Sequence, residues 1–307
     1  MLGSLNMDLV LCVSSLPKPG ETVLGKHFEA FPGGKGANQA TAAARLGGTV
    51  RLFGRVGTDP YGPEVLRALR RNRVNVRGVF RDRNASTGKA LIIVRERHGT
   101  NLIAVASGAN LRVDDAQVDQ LSAGLRKGDV VVLQFEIPVE VVARAARRAK
   151  QAGAFVILNA APCKPNDMKE MPKLDLLVVN QVEARQLSGV GGDLRTAARC
   201  LGRRFANAVA VTRGKKGTLL WNGRVSRIQA HAVGQVVDDT GAGDAFIGAI
   251  AFGVAHGFGL REAVCMGSAA GAMTVTKLGG NSSPTRRELE KFMKISPAGP
   301  RNDEALT

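Results

Sequence analysis

The sequence predicts an α/β protein with a doubly wound, mostly parallel sheet flanked by helices, and a small β lid. Two observations carry this prediction. Apolar β-branched runs alternate along the chain with amphipathic runs rich in Ala and Arg, a pattern typical of a parallel sheet with helices on both faces. Residues 17–32 and 87–109 contain strand-like pieces and turns but no helical period, so we place the lid at about residues 9–33 and 87–109.

The elements follow from the periodicity of apolar residues. The predicted strands are Leu9–Val13, Thr49–Phe53, Val130–Leu133, Phe155–Leu158, Leu176–Val179 and Ala208–Thr212. The predicted helices are Ala37–Leu46, Gly62–Arg71, Val139–Gln151, Leu194–Arg203, Gly243–His256, Leu260–Thr276 and Arg286–Lys294. In the lid, Ala90–Val94 and Asn101–Val105 predict a hairpin around His98 and Gly99. We expect residues 1–296 to form one domain and the polar residues 297–307 to form a frayed tail.

Composition excludes several classes of protein. No stretch approaches the ~20 apolar residues of a membrane span, and the first residues lack a signal-peptide pattern. The four cysteines are far apart with no C-x-x-C pair, which argues against a disulfide framework or a zinc site. The four histidines have no metal-ligand spacing. We therefore expect a reduced, cytoplasmic protein.

The net charge of +17 raises the question of nucleic-acid binding. The excess is mostly arginine at helical spacing in separate segments: Arg67, Arg70, Arg71; Arg144, Arg147, Arg148; Arg195, Arg199, Arg203. No aromatic residues interleave with them, and no helix-turn-helix pattern is present. A solvated basic surface is the favoured interpretation, and such a charge would also attract anionic nucleotides.

The most informative segment is Asp238-Asp239-Thr240-Gly241-Ala242-Gly243-Asp244-Ala245, which leads directly into an apolar run. A helix beginning at these glycines offers unpaired N–H groups and the positive end of its dipole to an anion. Asp244 in the first turn could take a proton from a hydroxyl beside a bound phosphate. The alternative is a glycine turn with a capping aspartate.

A second glycine-rich segment, residues 33–40, precedes an Ala-rich helix and matches neither a Walker A loop nor a dinucleotide fingerprint. Its Lys35 and Asn38 can point donors at a polar ligand, although a structural turn explains the glycines equally well. Near the first strand, Asn6 and Asp8 alternate with apolar neighbours and so share one face. A carboxylate there can accept from two sugar hydroxyls, and a plain strand-end turn is the alternative.

Polar residues also follow three later strands. Glu136 lies just after the strand Val130–Leu133. Asn180 and Glu183 follow the strand Leu176–Val179, and the loop Thr212–Gly217 comes at the end of the strand Ala208–Thr212. Ligands of parallel sheets gather at these strand ends. Each residue could instead be a helix cap, and the succession of several such residues is what favours a ligand site.

The motifs together resemble the ribokinase family of carbohydrate kinases, of the phosphofructokinase-B type. The resemblance covers nearly the whole chain and rests on GSLNMD (3–8), GGKGANQA (33–40), SGAN (107–110), LQFE (133–136), LNAAP (158–162), VVNQVEA (178–184), TRGKKG (212–217), DDTGAGDAF (238–246) and KLGGNSSP (277–284).

The resemblance implies a role for each matched residue. It implies that the ribose pocket is lined by Asn6, Asp8, Gly34, Lys35, Asn38 and Glu136, with Asp244 as the general base on the 5-hydroxyl. The anion hole is implied at the N–H groups of Gly241, Ala242, Gly243 and Asp244. ATP and Mg²⁺ are implied at Asn180, Glu183, Gly243 and the loop residues Thr212, Arg213, Gly214, Lys215 and Gly217. An activating K⁺ is implied at Asp238, Ser283 and the carbonyls of Thr240, Thr274, Lys277 and Gly279.

By the same resemblance the protein is an ATP-dependent kinase that forms ribose 5-phosphate and ADP, and a homodimer through the lid. Two kinds of alternative stay open. One is a related kinase that acts on deoxyribose, fructose or another small sugar. The other is a catalytically silent protein of the same fold that binds nucleic acid or acts as a regulator.

Overall fold

The structure is a computed structural model that describes residues 1–95, 101–277 and 282–295. Its strands are β1 (Asn6–Val13), β2 (Gly25–Gly33), β3 (Arg51–Gly57), β4 (Asn75–Asp82), β5 (Gly88–Arg95), β6 (Asn101–Ala106), β7 (Val130–Gln134), β8 (Phe155–Asn159), β9 (Leu174–Asn180), β10 (Ala206–Thr212), β11 (Thr218–Trp221) and β12 (Val225–Ile228). Its α-helices are α1 (Lys35–Arg45), α2 (Tyr61–Arg71), α3 (Asp115–Ala123), α4 (Val139–Gln151), α5 (Gln181–Ser188), α6 (Leu194–Phe205), α7 (Ala242–Ala255), α8 (Leu260–Thr274) and α9 (Arg286–Ile295).

The main sheet has the strand order β12-β11-β10-β9-β8-β7, parallel from β7 to β10 and antiparallel at β11 and β12. A second parallel pair, β3 and β4, lies beside it. The segment before β1 joins the two, because Leu2 bridges Phe53 of β3 while its N–H donates to the carbonyl of Val132 in β7 over 3.1 Å. The prediction of a mostly parallel sheet is confirmed.

Helices cover both faces of this sheet. On one face, alternate strand residues such as Leu133 and Leu158 pack in a cluster with residues of α3, α4, α5 and α6. On the other face, their neighbours Val132 and Ile157 pack with residues of α7 and α8. Because each face of the central strands is buried, their sequences are continuous apolar runs rather than alternating ones. The predicted doubly wound arrangement is therefore confirmed.

The lid sheet, as we call strands β2-β1-β5-β6 in that order, is separate from the main sheet. Strands β1 and β5 are parallel, and β2 and β6 are antiparallel to them at the two edges. The two strands of the predicted hairpin pair as expected, and its turn at His98 and Gly99 lies outside the described residues. Large apolar side chains on this sheet remain exposed, among them Phe28, Leu91, Ile103 and Val105.

Five elements were absent from the sequence-based prediction: β4, β11, β12, α3 and α5. The helix α3 has a weak apolar stripe but begins with a capping box between Asp114 and Gln117, a signal that the sequence contained. Elsewhere the boundaries moved by a few residues: α1 begins at Lys35 rather than Ala37, and α8 ends at Thr274 rather than Thr276. Within the described ranges, every helix falls short of the length and apolar character needed to cross a membrane.

Candidate active site

The candidate active site lies where β1 of the lid sheet, the start of α1, the end of β7 and the start of α7 meet. Close packing of α1 against α7 brings the glycine-rich segments together. A Cβ at Gly248 of α7 would lie 2.5 Å from the Cβ of Ala42 and 2.8 Å from the carbonyl oxygen of Gln39, so only glycine permits this approach. The predicted residues Asn38 and Asp244, far apart in sequence, are therefore in direct contact.

Asp244 is buried and held by two amides. Asn38 Nδ2 donates to Asp244 Oδ2 over 3.1 Å, and Gln39 Nε2 donates to Oδ1 over 2.9 Å. Burial raises the pKa of the Asp244 carboxyl, while the charge of Lys35 and the two amide donors oppose that rise. A buried carboxylate with a raised pKa accepts a proton more readily than an exposed one.

The backbone at the start of α7 is arranged for an anion. Gly241 adopts a φ of +77°, and the N–H of Ala242 donates to the carbonyl of Asp239 over 3.3 Å. Within the described chain, the N–H groups of Gly243 and Asp244 have no backbone acceptor. A Cβ at Gly243 would meet nothing within 4 Å, which places open space directly beside these donors. Unpaired N–H groups at a helix start attract anions, so this position is a candidate site for a phosphate group.

Glu136 and the residues of β1 form the surface next to Asp244 that the sequence analysis assigns to the sugar, and we call this surface the sugar side. Glu136 Oε2 accepts from Ser4 Oγ at 2.5 Å and from the Lys35 N–H at 3.1 Å. The side chains of Asn6 and Asp8 are 3% and 8% exposed. A Cβ at Gly33 would lie 2.0 Å from Asp8 Oδ2, so this glycine makes room for the carboxylate.

The carboxylates of the sugar side are close enough to repel one another. Burial, followed by the charges of Glu136 and Asp244, raises the pKa of Asp8 to about 7. Burial lowers the pKa of Lys35, but Asp244, Glu136, Glu183 and Asp8 outweigh it, and the pKa of Lys35 is raised. Lys35 is thus the positive centre shared by four carboxylates.

The predicted nucleotide residues Asn180 and Glu183 form a capping box at the start of α5. Asn180 Oδ1 accepts from the N–H groups of Val182 and Glu183, and Glu183 Oε2 accepts from the N–H of Asn180 over 2.7 Å. Burial raises the pKa of Glu183, against the hydrogen bond from Asn180 and the charge of Lys35. The capping interpretation of these residues is therefore correct, and a ligand role would be additional to it.

The loop Thr212–Gly217 begins at the last residue of β10 and contains a short 3₁₀ turn, Gly214–Lys216. Arg213 folds back so that its Nη2 donates to the carbonyl of Lys216 over 2.6 Å, while Gly214 and Lys215 are exposed. Gly217 has a φ of +76°, and a Cβ there would lie 2.2 Å from the carbonyl oxygen of Ile228. This glycine is required by the backbone, whatever the loop binds.

The residues predicted to hold K⁺ are brought together in part. The N–H groups of Val237 and Asp238 both donate to the carbonyl of Val275, which places the segment before α7 beside the end of α8. Asp238 Oδ1 accepts from the N–H of Thr240 over 2.9 Å. Gly279 lies outside the described residues. Across residues 1–95, 101–277 and 282–295, no cluster of three or more His, Cys, Asp or Glu side chains could hold a metal ion.

Several polar residues at the site were not predicted. Asn110 Nδ2 donates to Asn6 Oδ1 over 2.7 Å, and Asn110 Oδ1 accepts from the N–H of Leu5. The buried Gln39 and Gln134 and the half-buried Asn159 form an amide network behind Asp244. All four lie inside motifs that the sequence analysis quoted, but a buried amide among apolar residues has no periodic signal of its own.

The fold and this site define a class of protein: an α/β kinase that places a buried carboxylate between a polar sugar side and an anion-binding helix start. Residues 1–286 match the pfkB family carbohydrate kinase domain, and the chain belongs to this family. It is 35% identical over 299 residues to the ribokinase of Haemophilus influenzae, covering 96% of this chain and 97% of that protein. It is also 33% identical over 303 residues to a deoxyribokinase of Salmonella typhi, covering 96% and 98%.

A solved structure of Arabidopsis thaliana ribokinase, complexed with ribose and ATP, superimposes with a TM-score of 0.84. It shares 30% sequence identity, and the match covers 96% of this chain and 98% of that one. The prediction of a carbohydrate kinase with this fold is confirmed.

Proposed function

We propose that the protein is a ribokinase that transfers the γ-phosphoryl group of ATP to the primary 5-hydroxyl of D-ribose, giving ribose 5-phosphate and ADP. One observation carries the proposal: the buried Asp244 carboxylate lies between open backbone N–H groups and a sugar side rich in hydrogen-bonding groups. The ribokinases of Haemophilus influenzae and Arabidopsis thaliana, similar over nearly the whole chain, support the choice of substrate.

In this proposal Asp244 is the general base. As the 5-hydroxyl oxygen attacks the γ-phosphorus, its proton passes to Asp244, the bond from phosphorus to the β,γ-bridging oxygen breaks, and ADP leaves. Charge on the transferring group is stabilised by the N–H groups of Gly243 and Asp244, with Gly241 and Ala242 shaping the turn. The raised pKa of Asp244 favours proton uptake at that moment.

The sugar is held by groups that are in place without ligand. Asp8 and Glu136 offer carboxylate oxygens, Asn6 and Asn38 offer amides, and Lys35 offers an ammonium group. Gly34 has a φ of +89°, which brings the backbone before α1 close to β1. Carboxylates that accept from two adjacent hydroxyls fix both the position and the identity of a sugar ring.

The nucleotide side, as we call the region of Asn180, Glu183 and the loop Thr212–Gly217, would hold ATP. Mg²⁺ neutralises the β- and γ-phosphates when bound, and Glu183 and Asn180 supply the oxygen atoms that such an ion and its waters prefer. Within the loop, Lys215 and Arg213 carry positive charge, and the exposed Gly214 leaves the backbone accessible between Thr212 and Gly217, the two ends of the loop. The Asn180 carboxamide is exposed even though its oxygen caps α5.

We propose that an activating K⁺ binds beside the anion hole. Ser283 Oγ is buried and has no hydrogen-bond partner in the described part of the chain. A buried hydroxyl without a partner is expected where the oxygen atom serves as a cation ligand. The other proposed ligands are Asp238 and the carbonyls of Thr240, Thr274 and Lys277, together with Gly279. When bound, K⁺ adds positive field next to the transferring phosphoryl group.

The proposal extends to organisation in the cell. We propose that residues 1–296 act as one domain, that the lid sheet closes over the sugar and excludes water, and that the protein works in the cytoplasm. The exposed apolar side chains Phe28 and Leu91, which the strand register places on one face of the lid sheet, would be covered by the lid sheet of a second copy in a homodimer.

A coupled ADP-release assay tests the function. Ribose, deoxyribose and fructose are compared at equal concentration, with KCl and with NaCl of the same ionic strength. We expect the highest kcat/KM with ribose and a higher rate in KCl. A preference for deoxyribose would establish the alternative that the Salmonella typhi relative favours. No ADP release with any sugar, together with retention of DNA at physiological salt, would favour the catalytically silent binder.

A further inference from the structure

Three buried side chains, Gln134, Gln39 and Asp244, and the half-buried Asn159 are joined by hydrogen bonds that lead to Asp244. Gln134 Nε2 donates to Gln39 Oε1 over 2.7 Å, and Gln39 Nε2 donates to Asp244 Oδ1 over 2.9 Å. The same Gln39 Nε2 donates to Asn159 Oδ1 over 3.2 Å. Gln39 and Gln134 are both 0% exposed, so neither side chain can touch a sugar or a nucleotide.

The chain has one direction, because a carboxamide has a donor end and an acceptor end. Gln39 must present its NH₂ group to Asp244, since its oxygen is engaged by the NH₂ group of Gln134. If the Gln39 amide turned over, its carbonyl oxygen would face the Asp244 carboxylate and repel it. Gln134, which donates to the oxygen of Gln39, and Asn159, whose Oδ1 accepts from its nitrogen, therefore both favour the orientation in which the NH₂ group meets Asp244.

Gln134 is placed for this purpose at a cost to its own hydrogen bonding. Its Oε1 is buried with no partner among the residues that the structure describes. A Cβ at Gly3 would lie 1.9 Å from that oxygen, so the side chain fits only beside glycine. An apolar residue of similar size would avoid a buried acceptor without a partner, which indicates that the donor end is what the site uses.

The two oxygens of Asp244 then have different surroundings. Oδ1 is bound by Gln39, which has no access to ligand, whereas Oδ2 is bound by Asn38, a residue of the proposed sugar pocket. Asn38 can exchange its bond to Oδ2 for one to the sugar. Anchoring Oδ1 from behind leaves Oδ2 free to receive the hydroxyl proton.

We propose that Gln39 is a positioning residue that anchors Asp244 through Oδ1, and that Gln134 acts through Gln39 by fixing the orientation of its amide. This inference rests on the proposed function, in which Asp244 is the general base. Other charged groups also face Asp244, namely Lys35 from α1, Glu136 after β7 and Asp8 from β1. The variants below leave all three in place.

The first test is Gln39→Met, which keeps the length of the side chain and removes the donor. A lost hydrogen bond to a carboxylate predicts a fall in kcat of about 10- to 100-fold with little change in the KM for ATP. The acid limb of the kcat/KM profile should move up by about one pH unit, because the donor favours the ionised form. Gln117→Met is the matched control, since Gln117 is equally buried but lies on α3 and caps its start. We expect it to lower the Tm and leave the pH profile unchanged.

The second test is Gln134→Met, alone and combined with Gln39→Met. Alone it should lower kcat about 3- to 10-fold and move the acid limb in the same direction, although Gln134 does not touch Asp244. In the Gln39→Met background it should have no further effect, because its route to Asp244 is gone. Additive losses in the double variant, or an unchanged pH profile in Gln39→Met, would overturn the proposal.

A carbon-13 NMR titration of the Asp244 carboxyl separates this inference from the proposed function, because it reads the pKa without turnover. A wild-type protein inactive on every sugar would overturn the proposed function only. The positioning proposal would still stand if Gln39→Met raised the pKa of Asp244 and Gln134→Met raised it only when Gln39 is present. It would fall if neither variant moved that pKa.

Discussion

The sugar side and the nucleotide side of the site differ in how much of each is built before a ligand binds. On the sugar side, Asn6, Asp8, Asn38 and Asp244 are all buried, and each is fixed by hydrogen bonds or by close-packed glycines. On the nucleotide side, Asn180 and Lys215 are exposed, and the contacts seen there are local ones within a helix cap or a turn.

On the sugar side, this arrangement in advance of binding brings negatively charged side chains close enough to repel one another. Bringing Asp8, Glu136 and Asp244 together around one Lys35 raises the pKa values of Asp8 and Asp244. Under the proposed function, such repulsion is tolerated because a sugar ring would meet oxygen atoms that are already in position. The nucleotide brings its own charge and its own metal ion, so that side requires less prior arrangement. Five predictions test this contrast, from the largest expected effect to the smallest.

Asp244→Asn should give the largest loss. Removing the general base predicts a fall in kcat of about 10²- to 10⁴-fold, measured by ADP release at saturating substrates. ADP affinity by calorimetry should stay within a factor of three, because the N–H groups at the start of α7 remain. Near-normal turnover would remove Asp244 from the role of base and, with it, the proposed use of the sugar side.

Asp8→Ala should act on sugar binding alone. Loss of a carboxylate that accepts from two hydroxyls predicts a rise in the KM for ribose of about 10- to 100-fold. The KM for ATP should be unchanged, which is the control within the same experiment. Equal rises in both constants would mean that the two sides are coupled and that the contrast drawn above is wrong.

Sugar binding should also depend on pH through Asp8, whose pKa is raised to about 7. Below that pH the carboxyl holds a proton and loses an acceptor, so the KM for ribose should rise about tenfold between pH 8 and pH 6. The dependence should disappear in Asp8→Asn.

Stability should change in the opposite direction. A carboxyl with a folded-state pKa above its unfolded value stabilises the fold at low pH, and that contribution is lost as the pH rises from about 4 to 7. We therefore expect the Tm of ligand-free Asp8→Asn to fall less over this range than that of the wild-type protein. Parallel curves for the two proteins would contradict the assignment of the pH dependence to Asp8.

The smallest effect is expected at Asn180, where two substitutions separate a cap from a ligand. Asn180→Ala removes the cap of α5 and should cost about 1 kcal/mol of unfolding free energy. Asn180→Asp preserves the cap but sets a negative charge near the phosphates, so it should keep the Tm and raise the KM for ATP several-fold. If Asn180→Asp binds ATP normally, Asn180 is a cap only.

The features of the fold and of the site also differ in how far the sequence alone could predict them. The central strands are continuous apolar runs, and the glycine-rich starts of α1 and α7 carry their own signal, so the main sheet and the surroundings of Lys35 and Asp244 were predictable. For Asn180 and Glu183 the sequence left a helix cap open as the alternative to a ligand site, and the structure has a capping box there. Gln39 and Gln134 were not recognised, because their roles depend on hydrogen bonds across about a hundred or more residues of chain, which no spacing reveals.

The close contact between α1 and α7 at Gly248 limits which residues this position can hold. Even a single methyl group at that position would separate the two helices and draw Asp244 away from Asn38 and Gln39. In a saturation screen for growth on the sugar, position 248 should therefore tolerate substitution as poorly as the aspartate does, although it lies one turn further along the helix. A ranking of positions by their distance from the reacting atoms would therefore underestimate the effect of substituting Gly248.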